Sequence, residues 1–159
     1  MDSAHPSQVH VNVAFTSDRA RTLYAGQLGP ATMLSVGTDL KACLDGEELV
    51  LQPGERYAIK TGLRIQPLQS GWAGIVSSRS GLGARDGVVV AQGIGLIDPD
   101  YTGEIIVYLL NTAREVRRIG NGERIAQLFF VPYGYPSFSE VDDLHPTARG
   151  DGGFGHTGR

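Results

Sequence analysis

The chain has 159 residues, of which 41% are hydrophobic and 19% charged, a composition typical of one ordinary folded domain and not of a disordered chain. Its net charge of −3 gives no bulk attraction to nucleic acid or to an anionic membrane, so direct binding to either is not expected. The single cysteine excludes an internal disulfide and a cysteine-based zinc site. The sequence has neither a signal-peptide core nor an apolar run of about 20 residues, which predicts an intracellular protein, cytoplasmic or nuclear.

Short β-strands joined by turns account for most of the chain. Residues 9–15 alternate apolar with small or polar side chains, the period of a half-buried strand, whereas residues 16–33 show no regular pattern. Further strands are predicted at residues 34–44, 47–51, 56–66, 72–76, 88–90, 105–110 and 124–131. Roughly ten short strands in all predict a compact all-β barrel or sandwich.

Glycine-containing turns and one helical segment separate these strands. Asp45-Gly46 predicts a tight hairpin, Thr61-Gly62 a break that divides residues 56–66 into a strand pair, and Gly37 a bulge or a close contact. Residues 80–85 are the best candidate for a short helix. The candidates for its capping side chain are Ser77, Ser78 and Ser80.

The C-terminal segment differs in composition from the rest. Residues 148–159 are nearly half glycine and cannot form a packed core, so we expect a mobile arm that follows a domain of residues 1–147. The aromatic ring of Phe154 on such an arm suits stacking on another ring, and Arg149 suits a phosphate contact. The alternative is a disordered end without a function.

Residues 93–105 place Asp98 and Asp100 in a turn rich in glycine and proline between two strongly β-forming runs, which predicts a hairpin. The glycines of this segment would allow a ligand to approach the backbone closely. Asp98 is a candidate general base, because a carboxylate on stiff strands can be held next to a water molecule. Its alternative role is turn chemistry alone, and Asp100, nearer the tip, is expected to be solvated.

A second candidate site is the run 77–83, which combines Arg79 with hydroxyls, backbone amides and a predicted helix start. Such groups favour an anion, so the run suits a phosphate, although Arg79 fits the role of a structural ion-pair partner equally well. Asp39 is a candidate to hold Mg²⁺ through water, or it faces solvent on an edge strand. Gln127 lies in an apolar strand, where its amide either bonds within the core or donates to a ligand. The four histidines lack metal-ligand spacing, which argues against a catalytic zinc.

Five stretches taken together resemble the motifs of the trimeric dUTPase family, the deoxyuridine 5′-triphosphate nucleotidohydrolases, and they follow the family's order. They are Val36-Gly37-Thr38-Asp39-Leu40, Arg79-Ser80-Gly81-Leu82-Gly83, residues 93–104, Gly122-Glu123-Arg124-Ile125-Ala126-Gln127-Leu128, and Arg149-Gly150-Asp151-Gly152-Gly153-Phe154-Gly155-His156-Thr157-Gly158. The resemblance implies a jelly-roll-like β-barrel of the dUTPase (β-clip) type. It also implies a homotrimer with three active sites, each built from all three chains.

The implied reaction is the hydrolysis of dUTP to dUMP and pyrophosphate by in-line attack of water on the α-phosphorus, with Mg²⁺ on the triphosphate. Such an activity limits uracil incorporation into DNA and supplies dUMP for thymidylate synthesis. By the resemblance, Asp98 is the catalytic carboxylate that contacts the deoxyribose 3′-hydroxyl and orients the water. Tyr101 would pack under the deoxyribose and exclude a 2′-hydroxyl. The uracil would lie against the backbone of residues 92–101, which include Gln92, Gly95 and Leu96.

The resemblance assigns the triphosphate, the metal and the lid to other motifs. Asp39 matches the acidic residue near the water shell of Mg²⁺, Arg79 has a role that is partly structural, and Phe154 would cover the uracil. The residues that match phosphate-chain contacts in the second and fourth motifs are Ser80, Gly81 and Gln127. Those assigned to the substrate in the arm, besides Phe154, are Arg149, Gly155, His156 and Thr157.

Three positions depart from the family pattern: Ser78 stands where many relatives have proline, Val36 where alanine is usual, and Gln92 where asparagine is frequent. A dCTP deaminase would share the fold, but that family usually has a catalytic glutamate where Tyr108 stands and often a phenylalanine where Tyr101 stands. The other alternative is a nucleotide-binding regulatory or interaction protein with the same fold, against which the joint presence of the site residues argues. Residues 16–33 and 132–147 would offer surface for an added partner.

Overall fold

Residues 8–30, 32 and 34–153 are described by the structure, a computed structural model. The elements in chain order are β1 (Val11–Phe15), α1 (Asp18–Leu23), β2 (Thr38–Lys41), β3 (Glu48–Leu51), β4 (Arg56–Pro67), β5 (Trp72–Ser77), a π-helical turn (Gly81–Arg85), β6 (Val88–Val90), β7 (Ile94–Ile97), β8 (Glu104–Asn111), β9 (Arg117–Gly120) and β10 (Arg124–Pro132). This inventory of the described ranges confirms the all-β prediction. None of their helices is both long and apolar enough to cross a membrane.

Two four-stranded sheets, with strand orders β1-β4-β8-β6 and β2-β10-β5-β7, form the fold together with the two-stranded sheet β3-β9. Successive side chains of a strand point to opposite faces of its sheet, so each sheet has one face toward the core. In β8, for example, Ile105, Val107 and Leu109 are buried, whereas Ile106 and Tyr108 are exposed. Side chains from all three sheets form one core, and each fully buried aliphatic side chain contributes about 1.5–3 kcal/mol. Its members include Leu40, Leu51, Ile59, Leu63, Val76, Val88, Ile119, Ile125 and Leu128.

The hairpin predicted around residues 93–105 is confirmed for its two flanking strands, which pair with each other. It is wrong for the segment between them, which is not a simple turn. β6 and β8 pair antiparallel, from Val88 opposite Asn111 to Val90 opposite Leu109. Between them the chain forms β7, which pairs with β5 in the other sheet. Gly93 takes a φ of +85° where the chain leaves β6, a left-handed conformation that glycine adopts without steric cost. The segment therefore connects the two sheets.

The hairpin predicted at Asp45-Gly46 is wrong, because β2 pairs with β10 and β3 pairs with β9. The chain between β2 and β3 is fastened to the β9–β10 turn instead. Leu44 N donates a hydrogen bond to Asn121 Oδ1 at 3.0 Å, and Ala42 N donates to the Glu123 carbonyl at 2.8 Å. These bonds end β2 at Lys41 and direct the chain into a different sheet.

The strand pair predicted within residues 56–66 is a single strand, β4, with a bulge. β4 pairs with β8 up to Lys60 opposite Ile106 and resumes at Arg64 opposite Glu104, so the register shifts across Thr61-Gly62. Two side chains compensate for the interrupted ladder. Thr61 Oγ1 donates to the Ile105 carbonyl at 2.7 Å, and Gly62 N donates to Glu104 Oε1 at 2.8 Å.

Residues 16–33, expected to be irregular, contain the helix α1. Ser17 caps it by accepting a hydrogen bond from Ala20 N at 3.1 Å. Ala20 is fully buried against the bulge of β4, where a Cβ on Gly62 would lie 2.4 Å from the Ala20 Cβ. A helix this short presents no helical hydrophobic period, which explains why the pattern did not predict it.

A π-helical turn replaces the short helix predicted at residues 80–85. Ser80 stands at its N-terminus and makes no capping bond through its side chain. The Ser78 hydroxyl accepts its hydrogen bond from Val90 N, in β6, at 2.8 Å. The cap prediction is therefore wrong for these two serines.

Candidate functional site

The first candidate cluster lies where β2, β5 and β10 adjoin, and Asp39 is its centre. Arg79 Nε donates to Asp39 Oδ1 at 2.8 Å, and Arg124 Nη1 donates to Oδ2 at 3.2 Å, so each carboxylate oxygen accepts from one guanidinium group. The Asp39 and Arg79 side chains retain only 23% and 26% of their exposure. The structure shows the ion pair considered for Arg79. Asp39 lies on the edge strand β2, as one alternative expected, but its side chain is largely covered by the two arginines.

Gln127 adjoins this cluster in β10, opposite Asp39 of β2 and Ser77 of β5. Its Nε2 donates to the Ser78 carbonyl at 3.3 Å. On the other side a Cβ on Gly37 would lie 3.0 Å from the Gln127 Oε1, so the glycine permits this close contact. The partly buried side chain of Gln127 is thus held between Ser78 and Gly37 within β10.

Ser80 and Gly81 follow β5 directly and begin the π-helical turn. Ser80 is exposed and Gly81 is partly buried, so both are open to a ligand. At the other end of the turn, the hydrogen bond from Arg85 lowers the pKa of the Asp86 carboxyl. The turn therefore carries a hydroxyl and backbone amides at one end and an internally balanced ion pair at the other.

The second candidate cluster is the turn that follows β7. Tyr101 N donates to the Asp98 carbonyl at 3.1 Å, and the Asp98 side chain is exposed. No ion pair within the described ranges involves this carboxylate. It opens onto a groove of about 660 Å³ whose lining consists of Ala73, Leu96, Asp98, Pro99, Asp100, Tyr133 and Tyr135. An exposed carboxylate on a closed turn can orient a water molecule and accept its proton.

Tyr101 folds back over the same turn. Its hydroxyl donates to the Glu104 carbonyl at 2.9 Å, and its ring lies over Gly103, where a Cβ would come within 2.5 Å of the Tyr101 oxygen. The position of the ring therefore depends on glycine at residue 103. Because Tyr101 remains 44% exposed, part of its ring is available to a ligand.

Gly95 and Leu96 lie in β7, an edge strand of its sheet, and Gln92 lies in the turn that precedes it. Gly95 pairs with Val76, and a Cβ at residue 95 would lie 3.3 Å from the Val76 Cβ and 3.5 Å from Gln92 Nε2. The Gln92 amide thus lies close over the Gly95 backbone, while the Leu96 side chain is 62% exposed. An edge strand presents backbone donors and acceptors that a planar polar ligand can pair with.

The two clusters lie at opposite ends of one sheet. Asp39, Gln127, Ser77 and Ile94 form one row across it, whereas Asp98 follows the last residue of β7, at the far end. With about 3.4 Å per residue and about 4.8 Å between strands, Asp98 and Asp39 are roughly 20 Å apart. One chain therefore does not bring the Asp98 turn together with the group around Gln127.

Of the residues predicted in the C-terminal arm, Arg149 lies in the described part. Its side chain is exposed, and its Nε donates to the Gly152 carbonyl at 2.9 Å within a local turn. The remaining predicted arm residues fall outside the described residues. They are Phe154, Gly155, His156 and Thr157.

Arg124 and Ser78 make contacts that the sequence did not predict. Arg124 is separated from Asp39 by 85 positions, and Ser78 from Val90 by 12. No local pattern encodes such pairings. The only local signal for Arg124 was a cation at the start of an apolar strand, next to a turn.

Comparison with known proteins decides the family. The dUTPase family model matches residues 24–158. The chain belongs to the dUTPase family. It is 46% identical over 129 residues to the deoxyuridine 5′-triphosphate nucleotidohydrolase of Enterobacter sp. (strain 638), which covers 81% of this chain and 84% of that protein. The protein of the same name from Acinetobacter baumannii (strain ATCC 17978) is 43% identical over 129 residues, which covers 81% of this chain and 85% of that one.

Solved structures show the same dUTPase fold. A mutant of the Staphylococcus bacteriophage 80alpha dUTPase, with dUpNHpp, is similar with a TM-score of 0.80 and 26% identity. The match covers 94% of this chain and 99% of the phage chain. The family and the β fold expected from the five motifs are therefore confirmed.

Proposed function

We propose that this member of the dUTPase family hydrolyses dUTP to dUMP and pyrophosphate. The water oxygen attacks the α-phosphorus in line, the bond from that phosphorus to the bridging oxygen breaks, and pyrophosphate leaves. The observation that carries the proposal is the Asp98 carboxylate, which is exposed on a closed turn beside Tyr101. Asp98 orients the water and takes its proton. In a cell the reaction limits uracil incorporation into DNA and supplies dUMP for thymidylate synthesis.

The base and the sugar bind along the edge of β7 and the turn after it. The backbone of this edge, with Gly95 and Leu96, pairs with the polar edge of uracil, and the Gln92 amide lies next to Gly95 to assist. The Tyr101 ring supports the deoxyribose from its fixed position over Gly103. A ring packed against the deoxyribose leaves little room for a 2′-hydroxyl, so the site favours dUTP over UTP.

The phosphate chain binds to Ser80, Gly81 and Gln127. Negative charge spreads over the phosphate oxygens during such a transfer, so positioned donors stabilise the transition state. The hydroxyl and amides of the turn and the Gln127 amide supply these donors from rigid elements. Arg79 contributes positive charge while its Nε remains bonded to Asp39.

Mg²⁺ would be bound by the phosphates of the substrate, and Asp39 is the residue that would contact it through water. The single carboxylate of Asp39 fits this limited role, since Mg²⁺ prefers few protein carboxylates and keeps several waters. Each Asp39 oxygen accepts one arginine bond and retains a further lone pair. When bound, Mg²⁺ neutralises charge on the phosphate oxygens.

The complete site forms between chains of a homotrimer. The separation of roughly 20 Å between Asp98 and Asp39 along and across the strands supports this, because both clusters of one chain are too far apart to contact the same three phosphate groups. Residues 148–159 act as an arm that closes over the nucleotide. In this arm Phe154 covers the uracil, and the phosphate contacts come from Arg149, Gly155, His156 and Thr157.

Pyrophosphate release from dUTP, compared with dCTP, dTTP and UTP in the presence and absence of Mg²⁺, tests the activity. We expect turnover of dUTP alone among the four and its strong reduction after Mg²⁺ is removed. Asp98→Asn should nearly abolish turnover yet retain binding of a non-hydrolysable dUTP analogue. Lack of dUTP turnover by the purified protein, or full activity of Asp98→Asn, would refute the proposal.

A complementation experiment tests the shared site. Asp98→Asn and Gln127→Ala chains are each expected to form inactive homotrimers. When the two chains are co-expressed in equal amounts, random assembly gives about a quarter of the sites an intact Asp98 from one chain and an intact Gln127 from another. Recovery of activity toward this fraction supports the assembly. Mixed trimers as inactive as the parents would show that the two residues act from the same chain.

A further inference from the structure

Ser78 adjoins the phosphate-binding cluster, although it is not itself one of the proposed substrate contacts. Its hydroxyl accepts a hydrogen bond from Val90 N at 2.8 Å, and its carbonyl accepts one from Gln127 Nε2 at 3.3 Å. The residue that follows it, Arg79, is bonded to Asp39. Ser78 therefore contacts β6 and β10 and immediately precedes the phosphate-binding turn.

The bond to Val90 has a specific structural reason. β6 is the edge strand of its sheet, so its outward amides have no neighbouring strand to pair with. Val90 is the last residue of β6 and is only 2% exposed, which means that its amide needs a partner within the protein. The Ser78 hydroxyl supplies that partner and thereby links the end of β5 in one sheet to the edge of the other.

The chain on either side of this bond leads to functional residues. After Val90 a turn closed by Gly93 N and the Val90 carbonyl, at 3.0 Å, leads into β7 and on to Asp98. After Ser78 the chain continues into Arg79 and Ser80. A change in the Ser78–Val90 distance therefore moves the phosphate-binding turn relative to β6 and to the Gln127 amide.

We infer that Ser78 is a positioning residue for the hydrolysis, because its hydroxyl fixes the phosphate-binding turn against β6 and its carbonyl fixes the Gln127 amide. The inference rests on the proposed function. Ser78 does not touch the substrate and acts through Ser80 and Gln127. Its removal should impair catalysis by more than its effect on folding explains, since small displacements of binding groups reduce rates strongly.

The test compares Ser78→Ala with Ser78→Thr, which keeps a hydroxyl. The matched control is Thr112→Val, which removes another hydroxyl that bonds at 2.8 Å to a backbone carbonyl, that of Gly87, near the opposite end of β6. For each protein we would measure kcat and KM for dUTP, the thermal unfolding midpoint, and the exchange rate of the Val90 amide proton. All kinetics would be recorded at a temperature where every variant is folded.

Ser78→Ala should lower kcat/KM by about tenfold, which corresponds to about 1.4 kcal/mol, while Ser78→Thr and Thr112→Val stay within about threefold of wild type. The Val90 amide should exchange faster in Ser78→Ala alone. A lower unfolding midpoint with unchanged kcat/KM, or no restoration by threonine, would overturn the inference. If the wild-type protein does not hydrolyse dUTP, the proposed function fails, whereas the exchange of the Val90 amide still reports whether the hydrogen bond exists.

Discussion

Substitution of Gly103 by alanine should displace the Tyr101 ring. A Cβ at residue 103 would lie 2.5 Å from the Tyr101 oxygen and 2.6 Å from its Cζ, whereas carbon atoms in contact are separated by about 3.5–4.0 Å. The ring must therefore move by roughly 1 Å or more, and it loses its hydrogen bond to the Glu104 carbonyl. That bond contributes about 0.5–1.5 kcal/mol, and the ring can move into solvent because it is 44% exposed.

The effect on stability should be small and the effect on catalysis large. A loss of about 1 kcal/mol lowers the unfolding temperature of a chain of this size by about 2–4 °C. Displacement of a positioning group by about 1 Å can reduce a rate by up to about a hundredfold. We therefore expect kcat/KM for dUTP to fall by about 10–100-fold in Gly103→Ala. The value for UTP should fall much less, because the ring excludes that substrate in the wild type.

Steady-state kinetics with dUTP and UTP, together with thermal unfolding, measure these quantities. Tyr101→Phe serves as the control, since it keeps the ring and removes only the hydrogen bond to Glu104. Its dUTP to UTP preference should remain close to that of the wild type. The reasoning is refuted if Gly103→Ala folds normally and retains the full preference, because the ring would then have no part in recognition of the sugar.

Three further changes concern the scaffold. Gly62→Ala should lower the free energy of unfolding, measured in urea, by about 2–5 kcal/mol, since residue 62 has a φ of +72° and its new Cβ would meet α1. Gly54→Ala is the control: residue 54 has a similar φ of +77° but open space around it, so the loss should be only about 1–2 kcal/mol. Burial raises the pKa of Tyr24 to about 12, so the unfolded chain ionises first. The free energy of unfolding should therefore fall by about 2 kcal/mol between pH 10 and pH 12, and Tyr24→Phe should remove this dependence. Asp39→Asn should lower the free energy of unfolding by about 1–3 kcal/mol, and an equal loss in high salt would show that the charge on Asp39 is not responsible.

Features encoded locally could be predicted from the sequence. The strongly β-forming runs of β6 and β8 predicted the two paired arms, because short apolar runs rich in β-branched residues and bounded by turn residues are typical of buried strands. Glycine, proline and aspartate are concentrated around Asp98, which predicted a turn, and the Asp98 side chain is exposed on a turn in the structure. Gly37 was expected to permit a close contact, and it adjoins Gln127.

Features that depend on partners far away in the chain could not be predicted from the sequence. Asp45-Gly46 is a strong local hairpin signal, yet the partners of the flanking strands, β10 and β9, lie much later in the chain. The two arginines bonded to Asp39 are Arg124 in β10 and Arg79 just after β5, and no sequence pattern near Asp39 predicts either contact. The serine run suggested a helix cap, but the amide that Ser78 satisfies belongs to a strand edge that exists only after the sheets have formed.

The position of β5 explains why a single chain carries parts of different sites. One end of β5 leads to Arg79 and Ser80, and the residues near its other end pair with the end of β7 that precedes Asp98. The same strand is paired on its other side with β10, which carries Gln127. Because a paired strand of this length hardly stretches, the fold fixes the distance between the two clusters, which is too large for both to contact the phosphate groups of one nucleotide. In the proposed trimer, the contact between neighbouring chains must therefore set the distance between Asp98 and the phosphate-binding turn. A substitution at that contact should change kcat without any change inside the chain.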